Sequence, residues 1–67
     1  MKLWDLDRSE KGVRINVGAS DGSEYILFYH IDGMYSYCKT AKGAVVHLGA
    51  GTEIKRSKTV KGSYDIV

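Results

Sequence analysis

Residues 24–39 read EYILFYHIDGMYSYCK, two aromatic and aliphatic runs joined by Asp32-Gly33. An Asp-Gly pair between such runs is the strongest short-range hairpin signal, because a type I′ turn needs positive φ at both central residues. The stretch predicts a central hairpin with strands over 24–31 and 34–39. The rest of the chain is arranged around it.

Outward from that hairpin, short β-prone runs recur between clusters of Gly, Asp and Ser. They predict further strands over 2–6, 13–18, 44–49, 52–57 and 63–67, connected by DRSEKG, ASDGS, TAKG, AG and a Lys-Gly-containing stretch. No window shows the i, i+3, i+4, i+7 apolar spacing of an amphipathic helix. Residues 7–12 are open to a second reading as one helical turn capped by Ser9. The pattern is that of one small all-β domain over residues 1–67, an antiparallel meander-like barrel or compact sandwich of about five to seven short strands.

Turn positions set registers, and registers decide which side chains meet. A first hairpin centred on Asp21-Gly22 sets Val17 opposite Ile26 and Ile15 opposite Phe28. The second, centred on Asp32-Gly33, sets Phe28 opposite Tyr37 and His30 opposite Tyr35. Alternation then gathers Val13, Ile15, Val17, Ile26, Phe28, His30, Tyr35 and Tyr37 on one face. Arg14, Asn16, Tyr25, Leu27, Tyr29, Ile31, Met34, Ser36 and Cys38 fall on the other. Arg14 and Asn16 are costly to bury without partners, so the first face is the expected core. On 44–49, Ala44, Val46 and Leu48 then point in, with Val45 and His47 out beside Cys38 and Ser36. In 52–57 Ile54 is the strong apolar residue.

The expected outer face is therefore apolar and aromatic, a surface of a kind that monomers seldom leave unused. Three uses are open to it. Residues 2–6, with Leu3, Trp4 and Leu6, can fold over it as a second layer. It can bind a protein partner or a second copy through Tyr25, Leu27, Tyr29, Met34, Arg14 and His47, since Tyr, Met and Arg favour interfaces. Or Tyr25 and Tyr29 can stack on the bases of a single-stranded nucleic acid whose phosphates meet Arg14, Lys39, Lys42, Lys55, Arg56 and Lys58.

Charge bears on that choice. The net charge is +2 over 67 residues, but it is uneven. Residues 1–32 hold four basic against six acidic side chains, a balance of −2. Residues 33–67 hold six against two, a balance of +4. The basic half is compatible with phosphate contacts, and equally with a solvated surface. Trp4, Lys11-Gly12 and Phe28-Tyr29-His30 faintly resemble the order of such residues in cold-shock domains. Lys11-Gly12 is followed by Val13-Arg14-Ile15, however, instead of the aromatic-glycine-aromatic platform, so that family is not assigned.

Chemistry finds little footing. A lone Cys38 excludes an internal disulfide and fits a reducing compartment. No metal-ligand spacing occurs. Cys38 and His47 are expected to be cross-strand neighbours, the pair a cysteine nucleophile needs, but no third group is placed to orient the imidazole. His30 belongs to the expected core, so the three do not converge. Gly49-Ala50-Gly51 lacks the rest of a phosphate-binding loop. Asp5, Asp7 and Glu10 sit on an expected loop that holds no fixed separation.

The chain is therefore expected to be no enzyme and to need no metal or cofactor. No secretory leader and no membrane span is legible, which suggests an intracellular, cytoplasmic protein. The function expected is that of a small binding protein, acting on a protein partner or on itself, in the manner of the regulators and inhibitors carried by phages and other mobile elements. The alternative is a single-stranded nucleic-acid binder.

Overall fold

The computed structural model describes residues 1–18 and 24–67. Its strands are β1 (Val13–Asn16), β2 (Tyr25–Asp32), β3 (Tyr35–Thr40), β4 (Val45–Val46), β5 (Ile54–Arg56) and β6 (Tyr64–Ile66). They form one mixed sheet in the order β4-β3-β2-β1-β6-β5, which does not close into a barrel. β1 to β4 are an antiparallel meander. The last strand, β6, runs parallel to β1, with Ile15 opposite Tyr64, and antiparallel to β5. The fold is all-β as expected, with one parallel pair that hairpin rules do not foresee.

Two irregular segments span the gap between the edges. Leu48 and Ala50 continue along β3, the Ser36 N–H donating to Leu48 O at 2.8 Å and the Ala50 N–H to Met34 O at 2.8 Å. Trp4 and Leu3 then donate to Ala50 O at 3.0 Å and Thr52 O at 2.9 Å, and Ile54 to Met1 O at 2.8 Å. Residues 2–6 are thus not a strand. A single 3-10 turn, Leu3–Asp5, replaces it, because Leu3 turns into the core while its backbone bonds residues 50–52.

The core is small. Leu3, Ile15, Ile26, Phe28, Cys38 and Ile54 are buried together, with Leu6, Val13, Ile31, Val46, Leu48 and Tyr64 packed around them. Each large aliphatic or aromatic member contributes about 1.5–3 kcal/mol by leaving water. Cys38 and Ile54 share this cluster although their strands stand second and sixth in the sheet, so the sheet curls about the core. Leu3 plugs its inner side and leaves the outer side uncovered by residues 2–6.

Several expected core positions lie elsewhere. Val17, at 41%, and Tyr35, at 59%, are exposed, and His30 and Tyr37 are half-buried on the outer side. Ser36 and Cys38, expected outside, are fully buried, and Ile31 packs on the core.

For the residues of β2 and β3 the cause is a bulge in β2, while Val17 lies beyond the end of β1. Near the turn, Asp32 pairs with Tyr35, Ile31 with Ser36 and His30 with Tyr37; the register then shifts, and Phe28 pairs with Cys38. One extra residue, Tyr29, breaks the alternation, so the face carrying His30 and Tyr37 is the opposite of the one carrying Phe28. The turn is also displaced by one. Its loop is Gly33-Met34, with φ +65° at Gly33 and no positive φ at Met34, the pattern of type II′ in place of I′.

In β1–β2 the pairs are Val13–Phe28 and Ile15–Ile26, two residues from the expected register. An even shift keeps every side chain on its face. The Asp21-Gly22 turn itself lies outside the described residues.

Candidate functional site

The bulge builds the most distinctive surface of the molecule. It sets two successive side chains, Tyr29 and His30, across from the one ring of Tyr37. The His30 and Tyr37 rings stack at 5.2 Å and 16°, while Tyr29 meets Tyr37 at 5.9 Å and 53°. His47 extends the cluster, 6.4 Å from Tyr37. Its Nδ1 lies 2.8 Å from the Ser36 carbonyl oxygen. A carbonyl only accepts, so Nδ1 carries the hydrogen and Nε2 is left for a ligand.

Cations cover these rings. Lys39 Nζ lies 5.9 Å from the centroids of both Tyr29 and Tyr37, and the Arg14 guanidinium 4.1 Å from that of Tyr25. Leu27 pairs with Arg14 on one side and Lys39 on the other, joining the two groups into one face. Arg14 is held from below, its Nε–H donating to Asn16 Oδ1 at 3.0 Å. The Asn16 amide in turn donates to Ser63 Oγ at 2.9 Å and Asp65 Oδ1 at 2.8 Å. Such a buried amide, with its polar atoms satisfied, fixes both the parallel strand pair and the guanidinium.

The loop of residues 7–12 borders this face. It forms no helix, although Ser9 Oγ does accept the Gly12 N–H at 3.2 Å. The Ser9 N–H donates to the Tyr29 carbonyl at 2.8 Å, satisfying a group that the bulge takes out of the ladder. Gly12 has φ +87°, and a Cβ there would stand 2.9 Å from that of Leu27 and 3.3 Å from the Tyr29 ring. Only glycine lets the loop lie this close. Between loop and sheet runs an open cleft of about 360 Å³ lined by Arg8, Ser9, Glu10, Tyr29, His30, Tyr37 and Lys39.

Of the residues expected to meet a partner, Arg14, Tyr25, Leu27, Tyr29 and His47 share this face. Met34 does not: it stands at the hairpin tip, 82% exposed. Tyr37, His30 and Arg8 belong to the site and were not foreseen there, since nothing in FYHI marks a bulge. The expected phosphate contacts are divided. Lys39 is central and Lys42 lies on the β3–β4 turn, whereas Lys55 and Arg56 are on β5 and Lys58 follows it, with β2, β1 and β6 between.

The expected Cys38–His47 pair does not form. Cys38 faces inward, its Sγ 3.2 Å from Ser36 Oγ, while His47 faces outward. Burial pushes the thiol above its ordinary pKa, only partly offset by the Ser36 hydrogen bond and by the Leu48 backbone. A protonated, enclosed thiol is a poor nucleophile. Among the described residues no three His, Cys, Asp or Glu side chains are grouped to hold a metal ion, and no helix is long and apolar enough to cross a membrane. Compared with protein families, curated proteins and solved structures, the chain matches none.

Proposed function

We propose that this chain is a non-catalytic binding protein whose outer sheet face docks an acidic segment of a protein partner. The observation that carries the reading is the bulge-built cluster of Tyr29, His30 and Tyr37 with Lys39 over the two tyrosines. Half-buried rings already packed on one another lose little freedom on binding. Tyrosine and arginine are the residues that dominate interface energetics. Arg8 and Lys39 outnumber Glu10 along the cleft, and a positive cleft favours an occupant rich in Asp and Glu. A second copy set face to face would oppose like charges. A regulator or inhibitor acting inside the cell would use such a face.

Single-stranded nucleic acid is the competing occupant, favoured by the same rings and by Lys39. Against it, Arg14 already covers Tyr25, and His30 and Lys39 cover Tyr37, where base stacking needs open ring faces. Of the other phosphate-seeking residues only Lys42 is near Lys39, while Lys55, Arg56 and Lys58 stand beyond three intervening strands.

The test selects a random dodecapeptide library on the immobilised protein and measures fluorescence anisotropy of a mixed-sequence single-stranded oligonucleotide in parallel. Enrichment of acidic peptides whose affinity falls at least ~tenfold in Tyr29→Ala and in Lys39→Ser supports the reading. It fails if no acidic peptide is enriched. It also fails if the oligonucleotide binds more tightly than the peptides and Tyr29→Ala abolishes that binding.

A further inference from the structure

A second basic cluster lies at the far edge of the sheet. Residues 54–64 hold Lys55, Arg56, Lys58 and Lys61 and no acidic side chain. Side chains alternate along β5, so Arg56 points to the side of the buried Ile54 and Lys55 to the other. Tyr64 is opposite Arg56 in β6 and shares its side. Together with Ser57, Lys61, Gly62 and Ser63 of the connecting loop, these two line a cleft of about 350 Å³.

Hydrogen bonds fix the shape of that loop. The Ser57 N–H donates to Ser63 O at 3.0 Å and closes its base. Ser57 Oγ accepts the N–H groups of Thr59 at 3.2 Å and Val60 at 3.1 Å. The Ser63 hydroxyl donates to Val60 O at 2.6 Å and accepts the Asn16 amide at 2.9 Å, so the loop stands on the buried amide. At its tip Gly62, with φ +82°, completes a turn in which the Ser63 N–H also meets Val60 O, at 3.2 Å. A concavity formed in advance spends little of a ligand's binding energy on ordering.

Several donors in the cleft are left without an acceptor. Among the described residues the salt bridges all fall on Glu53, and neither Arg56 nor Lys61 has one. The hydrogen of the Ser57 hydroxyl finds no acceptor there either, because that oxygen only accepts. Two unbalanced cations and a hydroxyl on one concavity suit a dianion, whereas a carboxylate would leave one cation unbalanced. A phosphate monoester carries nearly two negative charges near neutral pH and three acceptor oxygens. The guanidinium fork matches such oxygens in pairs, and the ammonium adds a point charge.

We propose that this cleft binds a small molecule by its phosphate monoester, held between Arg56, Lys61 and the Ser57 hydroxyl, with the carbon part against the half-buried Tyr64 ring. The cleft falls in the size range of small-ligand pockets and is larger than a phosphate group alone needs. Tyr64 pairs with the inward-facing Ile15, so the site lies on the other side of the sheet from Arg14 and the outer docking face. Either site can fail without the other.

The experiment follows the amide cross-peaks of the isotope-labelled protein, near neutral pH and at constant ionic strength, during titration with inorganic phosphate, phenyl phosphate and acetate. Saturable shifts are expected at Ser57, Lys61 and Gly62, with phenyl phosphate binding more tightly than inorganic phosphate and acetate at least ~tenfold more weakly. Arg56→Gln and Lys61→Gln, both at exposed positions, should each lower the phenyl phosphate affinity about tenfold, the scale of one hydrogen bond to a charged group. Lys55→Ser removes the same charge from the opposite side and should leave that affinity unchanged. The proposal is overturned if neither phosphate gives a saturable shift at the loop, or if acetate binds as well as they do. It is overturned equally if folded Arg56→Gln and Lys61→Gln proteins bind at wild-type strength, or if Lys55→Ser loses as much as they do. Inorganic phosphate binding as tightly as its phenyl ester would remove the role of Tyr64 and overturn it as stated.

Discussion

The hairpins β1–β2 and β2–β3 share a strand, and both depart from the registers their turns suggest. In β1–β2 the departure is two residues, and Val13, Ile15, Ile26 and Phe28 still meet on the core side. In β2–β3 a single extra residue enters at Tyr29, and the inward set changes from Tyr35 and Tyr37 to Ser36 and Cys38. An error of two is silent for burial, whereas an error of one inverts a strand. The same inversion places Tyr29 and His30 together against Tyr37, so the irregular hairpin makes the surface while the regular one makes the core.

Substitution at Phe28 and Tyr37 separates the two hairpins most sharply. Phe28 is fully buried, and Phe28→Ala should cost about 3–5 kcal/mol. A chain of 67 residues has a total stability of only about 3–10 kcal/mol, so this variant should be largely unfolded by circular dichroism. Tyr37→Ala, on the half-buried outer side, should remain folded and lose about 1 kcal/mol in urea titration, the scale of one aromatic pair. Equal losses at the two positions would put Tyr37 back in the core.

Deleting Tyr29 is the next largest perturbation. The shortened strand would run Phe28 in, His30 out, Ile31 in, an unbroken ladder that keeps Phe28 against Cys38 and Ile31 against Ser36. The losses are the Tyr29 ring and the acceptor of the Ser9 N–H, about 1–3 kcal/mol together. Amide cross-peaks between strands should show continuous antiparallel pairing, with fast hydrogen exchange at Ser9. Collapse of the sheet would mean that the bulge is needed for the core as well as for the surface.

Cys38 provides the gentlest probe. Facing inward, it should react with a thiol reagent only as fast as the molecule opens, and at the free-thiol rate in denaturant. Because its folded pKa is raised, the unfolded chain ionises first. Stability is therefore fully present below the ordinary thiol range and declines as pH climbs through it toward the raised value. Cys38→Ala should flatten that decline in alkaline urea titrations. Rapid labelling of the native protein would place Cys38 on the outer face after all.

Much of this was legible from the residues. Alternation marked every strand that forms, and the two-residue parity of β1–β2 placed half of the core. Gly33 announced the central turn, though Met34, holding negative φ, selected type II′ and moved the loop by one residue. Arg14, Tyr25, Leu27 and Tyr29 were correctly grouped because they lie before or at the bulge. Past it, His30 and Tyr37 were rightly expected to share a face, and only the choice of face was inverted. Phe28-Tyr29-His30-Ile31 holds no Gly, Asn or Pro to signal an irregularity, since every residue there suits a regular strand. The β1–β6 pairing was hidden for another reason: turn chemistry governs neighbours in sequence, and Ile15 and Tyr64 are partnered through packing. Residues 2–6 looked like a strand by alternation, but their backbone partners lie at residues 50–53, which no local pattern reveals.

That distant pairing has a temporal side. The meander β1–β4 closes through short connections, while Asn16 and Asp65 are 49 residues apart and meet only after a long loop has lost its freedom. Late assembly of β5 and β6 onto a preformed meander follows, with Asn16 as the clasp that ends it. The same order run backwards makes β5 and β6 the unit that opens first. Hydrogen exchange should then find the Tyr64 and Asp65 amides released well before those of Phe28 and Cys38.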